Sequence, residues 1–325
     1  MRQIRFWTLL TGSALTGPAF AAPPEFHNEV QSDNPILWYQ LNEATGNALN
    51  YGSLGPSFDA GYNGTPNRNV PTNTGDGGVG FDGIDDFLES LSVAPASLGG
   101  NPTFTAEAIV YFTPGGATLG YGTFLHWGDG VGQPGGRTGR EVYFSISNNT
   151  TRGFAGFYNG GLRTVSPLQT GTWNHIVWVR TGGGNAQMGS KLFVNAVEVP
   201  VQADTVLCCN NLTPDVVPAE FRINIARDLT RWFAGAIDEV VLYDYELTAD
   251  DVCRHHAAFY QPIAGDMNCD SIVSVSDIGA FVLALTNPTG YEQQFPCCNI
   301  MSGDVNEDGF ITVSDIGPFV ALLTN

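Results

Sequence analysis

The stretch TAEAIVYF (105–112) alternates Ala106, Ala108, Val110 and Phe112 with Thr105, Glu107, Ile109 and Tyr111. A period of two puts successive side chains on opposite faces of a strand, so this is a sheet pattern and not a helical one. Outward from it, FRINIA (221–226) repeats the period with Phe221, Ile223 and Ile225 on one face. HIVWVR (175–180) is apolar on both faces, as expected of a strand packed between two layers. Clusters of Gly, Asn, Asp and Pro separate such runs, and 40 glycines in 325 residues suit many tight turns. Short strands between closely spaced turn signals imply a β-sandwich, and the length of this region favours a jelly roll over an immunoglobulin-type domain. Thr248-Ala249-Asp250-Asp251 has the form of a capping box before Val252–Ala258, which predicts a short closing helix, with the domain boundary at Gln261–Gly265.

The N-terminal 21 residues carry Arg2 and Arg5, an apolar run from Phe6 that weakens toward Phe20, and Ala19-Phe20-Ala21, the small-x-small pattern a signal peptidase cuts. They read as an export signal, which predicts an extracellular or cell-surface protein. The apolar run is interrupted by Thr11, Gly12, Ser13, Thr16, Gly17 and Pro18 and falls short of the roughly 20 residues a bilayer needs. No later segment reads as a membrane span. Residues 22–34 contain proline, lack a period and read as a linker. Thirteen basic against 32 acidic residues give a formal charge of −19, which repels phosphate backbones, argues against a nucleic-acid partner and favours cations. Six cysteines, at 208, 209, 253, 269, 297 and 298, imply disulfides in an exported chain. Cys269 with Cys297 or Cys298 is favoured because both flank one small region. Cys253 with Cys208 or Cys209 follows, the leftover pair crossing between domains.

The tail aligns with itself: GDMNCDSIVSVSDIGAFVLALTN (265–287) over GDVNEDGFITVSDIGPFVALLTN (303–325). Calcium is a hard cation that takes six to eight oxygens, and a twelve-residue loop supplies them from positions 1, 3, 5, 7, 9 and 12. Here these are Asp266, Asn268, Asp270, Ile272 through its carbonyl, Ser274 and Asp277, then Asp304, Asn306, Asp308, Phe310 through its carbonyl, Thr312 and Asp315. Position 6 needs a left-handed backbone, which Gly309 adopts freely and Ser271 at a cost of about 1–2 kcal/mol, so the first loop is expected to be the weaker. After each loop, Ile278, Phe281, Val282 and Leu285, and likewise Ile316, Phe319, Val320 and Leu323, mark an amphipathic helix with one apolar stripe for the other copy. No helix signal precedes the second loop, since Tyr291–Met301 contains Pro296 and the cysteine pair.

The segments LWYQLNEATG (37–46), FDGIDDFLE (81–89), FTAEAIVYF (104–112), TWNHIVWVR (172–180), LFVNAVEV (192–199) and FAGAIDEVVLYDYELTADDV (233–252) resemble a laminin-G-like, concanavalin A-like jelly roll over residues 35–260. One departure is Asn195-Ala196, where the family usually places a glycine in the hairpin turn. The duplicated loop-helix unit over 265–325 resembles a type I dockerin. That resemblance implies a small all-α domain folded by calcium and docked through its helices onto a cohesin-like protein. The positions where that family concentrates partner specificity are Val275-Ser276 and Val313-Ser314; their identity in the two copies implies docking in either of two orientations. Resemblance to calcium-bearing sandwiches makes Glu43, Asp82, Asp85 and Asp238 candidates for a further site.

Concanavalin A-like folds also host glycoside hydrolases, which need two carboxylates about one bond, on a strand at i, i+2. No such pair is found. Asp238 and Glu239 are adjacent and expected on opposite faces, Glu107 has no acidic partner two residues on, and Asp85-Asp86 sits in a turn-rich edge. His126, His175, His255 and His256 carry no metal or nucleophile signature, and His175 reads as a packed or edge histidine. Trp178 reads as core, whereas His126-Trp127-Gly128-Asp129 in a Gly-rich stretch is the better candidate for an exposed ligand-binding loop. The reading is thus of an exported protein without a catalytic site, binding a glycan or an extracellular protein through its sandwich and tethered through the calcium module. The alternatives are a component of a polysaccharide-degrading enzyme and a surface structural or adhesion protein.

Overall fold

The computed structural model describes residues 24–72, 77–113, 121–132, 134–147, 150–259, 263–269 and 272–324. The expected export signal lies outside them. The elements in chain order are α1 (Pro24–Ser32), β1 (Leu37–Tyr39), β2 (Ala60–Asn63), β3 (Asn67–Val70), β4 (Gly78–Asp82), β5 (Phe87–Val93), β6 (Phe104–Phe112), β7 (Thr123–Trp127), β8 (Val142–Ile146), β9 (Gly153–Phe157), β10 (Gly160–Thr164), β11 (Trp173–Arg180), β12 (Ser190–Val194), β13 (Val197–Glu198), β14 (Val201–Ala203), β15 (Glu220–Ile223), β16 (Ala234–Tyr243), α2 (Ala249–Phe259), α3 (Ile278–Thr286), α4 (Pro288–Gln294) and α5 (Ile316–Leu322). Two antiparallel sheets form the sandwich. The first runs β13-β12-β11-β6-β16-β4-β3, with β1 on β16; the second runs β14-β10-β9-β8-β7-β15-β5-β2.

The alternation in β6 sends Ala106, Ala108, Val110 and Phe112 into the core between the sheets, together with Phe124, Trp127, Phe144 and Phe157 of the second sheet. Phe104 stands edge-on to Trp127 and Trp178, with ring centroids 5.0 and 4.7 Å away. The opposite face of the first sheet is covered too. Ile109, Val177, Val179, Val241 and Tyr243 pack with Phe26 and Val30 of α1 and Val252 and Phe259 of α2. The stretch expected to be a linker therefore forms a helix from Pro24, because Phe26 and Val30 fall at i, i+4 and both are fully buried. At the start of α2 the capping box forms, with Asp251 N donating to Thr248 Oγ1 at 3.2 Å and Thr248 N donating to Asp251 Oδ2 at 2.8 Å.

Beneath these helices Glu107 is fully buried. Its carboxylate meets His175 Nε2 at 2.7 Å and His255 Nδ1 at 3.0 Å, and His255 Nε2 reaches Asp33 at 3.0 Å. Burial alone would raise the Glu107 carboxyl, but the charge of His255 and the bonds from both histidines outweigh it and hold it far below the usual carboxylate range. His255 is raised in turn: the charge of Glu107 outweighs the desolvation that would lower it. His256, stacked on His175 at 5.6 Å, is pushed down to about 3 by burial and then by His175.

One expectation about β16 is corrected. Asp238 and Glu239 lie on the same, helix-covered face: a bulge between Asp238 and Val240, with Glu239 at φ 51°, lets Asp238 pair with Ile109 while Glu239 accepts from Trp38 Nε1 and meets His27 of α1. In the β12–β13 turn both Asn195 and Ala196 adopt positive φ, 50° and 63°, so the turn that favours glycine is made without it. Asn195 Oδ1 accepts from His175 N at 2.9 Å, which helps hold it.

In the C-terminal region Phe281 of α3 stacks on Phe319 of α5 at 4.0 Å and 7°, and Met267, Ala280, Ala284 and Tyr291 complete a small core. Only half of each predicted apolar stripe faces the other helix. Ile278, Val282, Ile316 and Val320 are exposed, while Phe281 and Phe319 stack and Leu285 and Leu323 pack against the same small core. Helix α4 also extends through Tyr291–Gln294, where no helix is expected; Asn287 caps it and Pro288 opens it. Cys269–Cys298 is one of the two favoured pairings. The others differ from expectation: Cys253 pairs with Cys297, and Cys208 with its neighbour Cys209. Cys253 lies on α2, outside the first sheet, while Cys209 N donates to Asn159 O on the second, so the two cannot meet. No described helix is long and apolar enough to cross a membrane.

Candidate functional site

Strand register builds a polar and aromatic surface on the outer face of the second sheet. One row crosses it as Glu89, Arg222, His126, Tyr143, Gly156 and Gly161, and the next as Thr123, Ser145, Phe154 and Arg163. Gly156 and Gly161 leave a bare patch of backbone on which the Phe154 ring rests. A Cβ at either would come within 2.8 or 2.6 Å of Phe154 Cζ. Over this ring lies a pocket of about 120 Å³ whose wall includes Tyr121, Tyr143, Tyr158, Leu207 and Arg231. Among the lining residues described, Arg231 is the charged one.

The carboxylates around the pocket are engaged. Arg137 clamps the buried Glu141 through Nε and Nη2, both at 2.6 Å, and gives Nη1 to Asp228 at 2.6 Å. The Tyr143 hydroxyl donates to Glu141 at 2.6 Å. Burial would raise the Glu141 carboxyl, but the Arg137 bonds dominate and bring it down to about 2. His126, 3.5 Å from Glu141, is lowered chiefly by burial and stays neutral near pH 7. Asp204, fully buried, accepts from the Tyr121 hydroxyl at 3.1 Å and from Ser147 Oγ at 2.6 Å. With these hydroxyls committed, Tyr121 and Tyr143 offer the pocket ring surface. Arg231 sits among the rings, its guanidinium carbon 5.5, 5.1 and 5.7 Å from the centroids of Tyr121, Tyr143 and Tyr158.

Of the expected ligand loop, His126 and Trp127 belong to β7 and are fully buried, so the expectation of an exposed loop is corrected. Bulge geometry sends Trp127 inward to Phe104 and His126 outward beneath Tyr143. Asp129 is partly exposed and pairs with Arg227 at 3.1 Å. The further metal set is not assembled as expected. Asp82 and Asp85 lie together, but with Asp86, their oxygens within 4.8 Å of one another. Asp238 pairs with Ile109, four positions along β16 from the Ala234 that faces Asp82, and Glu43 instead accepts from Leu49 N at 2.8 Å.

The two C-terminal loops share a backbone design. Cys269 and Glu307, both at position 4, have φ 57° and 59°, and Gly309 has φ 87°. Asp315, buried, accepts from Asn306 N at 3.1 Å and Thr312 N at 2.9 Å; Asp277, also buried, accepts from Asn268 N at 3.0 Å and Ser274 N at 2.8 Å. Asp304 and Asn306 both turn their oxygens to Asp308 N, at 3.0 and 2.9 Å, and Asp308 accepts from Phe310 N. This all-oxygen donor set fits a hard cation such as calcium. Asp266 is buried, the side chain of Ile272 is exposed, and Asp270 and Ser271 lie outside the described residues. Ser276 and Ser314 bond Asn268 and Asn306 within the loops, while Val275 and Val313 are 75% and 78% exposed.

The profile of the concanavalin A-like lectin/glucanases superfamily matches residues 88–253, just over half of the chain. The chain belongs to that superfamily. Solved structures share the superfamily's sandwich at low identity. Domain 4 of AbnA, a GH43 extracellular arabinanase from Geobacillus stearothermophilus solved with arabinotriose, is 15% identical with a TM-score of 0.45, the match covering 67% of this chain and 96% of that domain. The binding domain of botulinum neurotoxin DC in complex with SialylT is 10% identical with a TM-score of 0.48, covering 71% and 53%. A Trypanosoma rangeli sialidase with sialic acid is 15% identical with a TM-score of 0.46, covering 72% of this chain but only 37% of the sialidase. At these identities the likeness is one of fold. No curated protein matches the sequence.

The expectation that this superfamily member is not an enzyme is corrected. The superfamily is described by glucanases as well as lectins, so membership in it does not exclude an enzyme. The pocket residues themselves were not singled out in the sequence. The glycines of GFAGFYNGG (153–161) are the signal that could have pointed to them, since glycine inside a strand marks a close approach of another group.

Proposed function

We propose that this chain recognises carbohydrate in the pocket over Phe154. The observation that carries the reading is an aromatic-lined concavity built on one sheet of a concanavalin A-like sandwich, with Phe154 as floor and tyrosines as walls. Such rings offer flat apolar surface to the C–H faces of a sugar, while a few polar groups orient it. Titration calorimetry of the full chain against a panel of oligosaccharides tests this. Saturable binding that Tyr158→Ala weakens at least tenfold is expected; no binding to any sugar would overturn the reading.

The loops 266–277 and 304–315 complete the proposal as two calcium sites, the second the tighter because Gly309 takes its left-handed φ without strain. Calcium titration is expected to show two unequal sites, the stronger lost in Asp304→Ala; no calcium uptake would refute it. The exposed Val275 and Val313, beside the two stripes, support docking of this module to a cohesin-like protein. That docking is tested by gel filtration with a purified cohesin domain in calcium and in chelator. The disulfides fit an exported, extracellular protein.

A further inference from the structure

The pocket places one guanidinium among rings without giving it a full partner. Among the described residues Arg231 approaches a carboxylate only at Asp228, 3.9 Å away, and that oxygen already accepts from Arg137 at 2.6 Å. Its Nε is shielded from solvent and has no hydrogen-bond partner among the described residues. Its backbone is held left-handed at φ 76°, a conformation that costs a non-glycine residue about 1 kcal/mol and persists only where the surroundings impose it. The nearby carboxylates are satisfied elsewhere: Glu141 and Asp228 by Arg137, Asp204 by the Tyr121 and Ser147 hydroxyls. In a chain of net charge −19, a pocket whose charged lining is a cation stands apart from the rest of the surface.

Resting on the carbohydrate reading, we propose that the pocket selects a terminal sugar that bears a carboxylate, a hexuronate residue, with its ring on Phe154 and its carboxylate on Arg231. At about 120 Å³ the open pocket is smaller than the dry cavity of roughly 150 Å³ that admits benzene, so it receives part of one sugar ring while the rest of the residue stays in solvent. It takes one residue at a chain end and not a run of them. The carboxylate of a hexuronate projects from the ring edge, so a ring lying on a floor directs it at a wall. A guanidinium receives a carboxylate through two parallel N–H bonds, and with Nε shut off from solvent and the side chain 21% exposed, the two Nη groups are the fork that faces a ligand. A neutral sugar covers the guanidinium without supplying an anion, which is the kind of loss by which a polar site rejects the analogue lacking its partner.

The test uses the full chain in calcium and titration calorimetry with tetragalacturonate, tetraglucuronate and their carboxyl-reduced neutral counterparts. The expected result is binding of at least one uronate, weakened tenfold or more by carboxyl reduction and by Arg231→Gln, and weakened by added salt. The carboxyl-reduction comparison uses the unaltered protein, so it stands even if Arg231→Gln fails to fold. Neutral oligosaccharides bound as tightly as the uronates would overturn the acidic-sugar inference and leave the carbohydrate reading intact. Failure of every oligosaccharide, charged or neutral, would overturn both.

Discussion

Replacing Gly161 with alanine should damage the pocket from below. The new Cβ would stand 2.6 Å from Phe154 Cζ, 2.8 Å from Ala155 O and 2.8 Å from Gly156 Cα, whereas ordinary contact begins at 3.4 Å. Two of these three atoms are backbone in the β9–β10 ladder, which pairs Gly161 with Gly156, so they yield little. The ring must move, and the space above it is the pocket. Overpacking of this kind costs about 1–3 kcal/mol. Alanine recovers about 0.5–1 kcal/mol through the lower entropy of its unfolded state. Because two of the clashing atoms are backbone, the upper end of that cost applies, and a net loss of about 2–2.5 kcal/mol corresponds to a fall in Tm of about 4–10 °C for a domain of this size. Scanning calorimetry reads the Tm, and calorimetric titration with the bound sugar is expected to show affinity reduced tenfold or more. Gly279→Ala is the matched control. It sits in α3 with nothing within 4 Å of its added Cβ, so the same chemical change should stabilise by about 0.5–1 kcal/mol. A Gly161→Ala protein that melts at or above the parent temperature and binds sugar unchanged would refute the idea that Phe154 rests on the glycine pair.

Three further outcomes follow from the same structure. Phe281→Ala removes a ring that is 2% exposed and stacked on Phe319, at a cost of about 3–5 kcal/mol; calorimetry should lose the C-terminal transition and keep that of the sandwich, and an unchanged trace would contradict the small core. Calcium at a hundred times the Kd of the tighter site should stabilise the C-terminal module by about 2.7 kcal/mol through that site alone, reversed by chelator; a melting temperature indifferent to calcium would count against the loops as sites. The third concerns pH. Glu107 is depressed, so its stabilisation is present above about pH 4.3 and lost as pH falls; His255 is raised, so its stabilisation is present below about pH 6.5 and lost as pH rises through its folded value. His256, held down to about 3 first by burial, which the variant leaves in place, works against stability in both proteins as pH falls below about 6.5. Glu107→Gln should therefore cost about 3–5 kcal/mol at pH 5.5 and measurably less at pH 8.5, read from urea midpoints; an equal loss at both would refute the charge pairing.

The sequence alone determined what repeats locally. Period two specified the strand at 105–112 and the strand part, 221–223, of 221–226, beyond which Asn224 turns to φ 67°; Thr248 and Asp251 specified the start of α2, and the two copies of the loop specified oxygens at fixed spacing, the second with a glycine where φ is 87°. Each of these depends on residues within one turn or one strand, where side-chain direction follows from backbone geometry. The pocket required the order and register of strands far apart in the chain, which no local period records. Phe154 meets Gly161 through the β9–β10 pairing, and Arg231 arrives from the β15–β16 connection. Trp127 looked accessible beside its glycines, yet β7 turns it into the core, and a single bulged residue, Glu239, placed two adjacent carboxylates on one face. Helix α1 has only Phe26 and Val30 to announce it, and becomes a helix because the face of the first sheet and α2 are there to bury them. Cysteine pairing was likewise decided by which surfaces lie side by side, with Cys253 on the helical layer and Cys208–Cys209 beside the second sheet. Burial, register and partner choice are properties of the assembled sandwich, and that is where the candidate site was made.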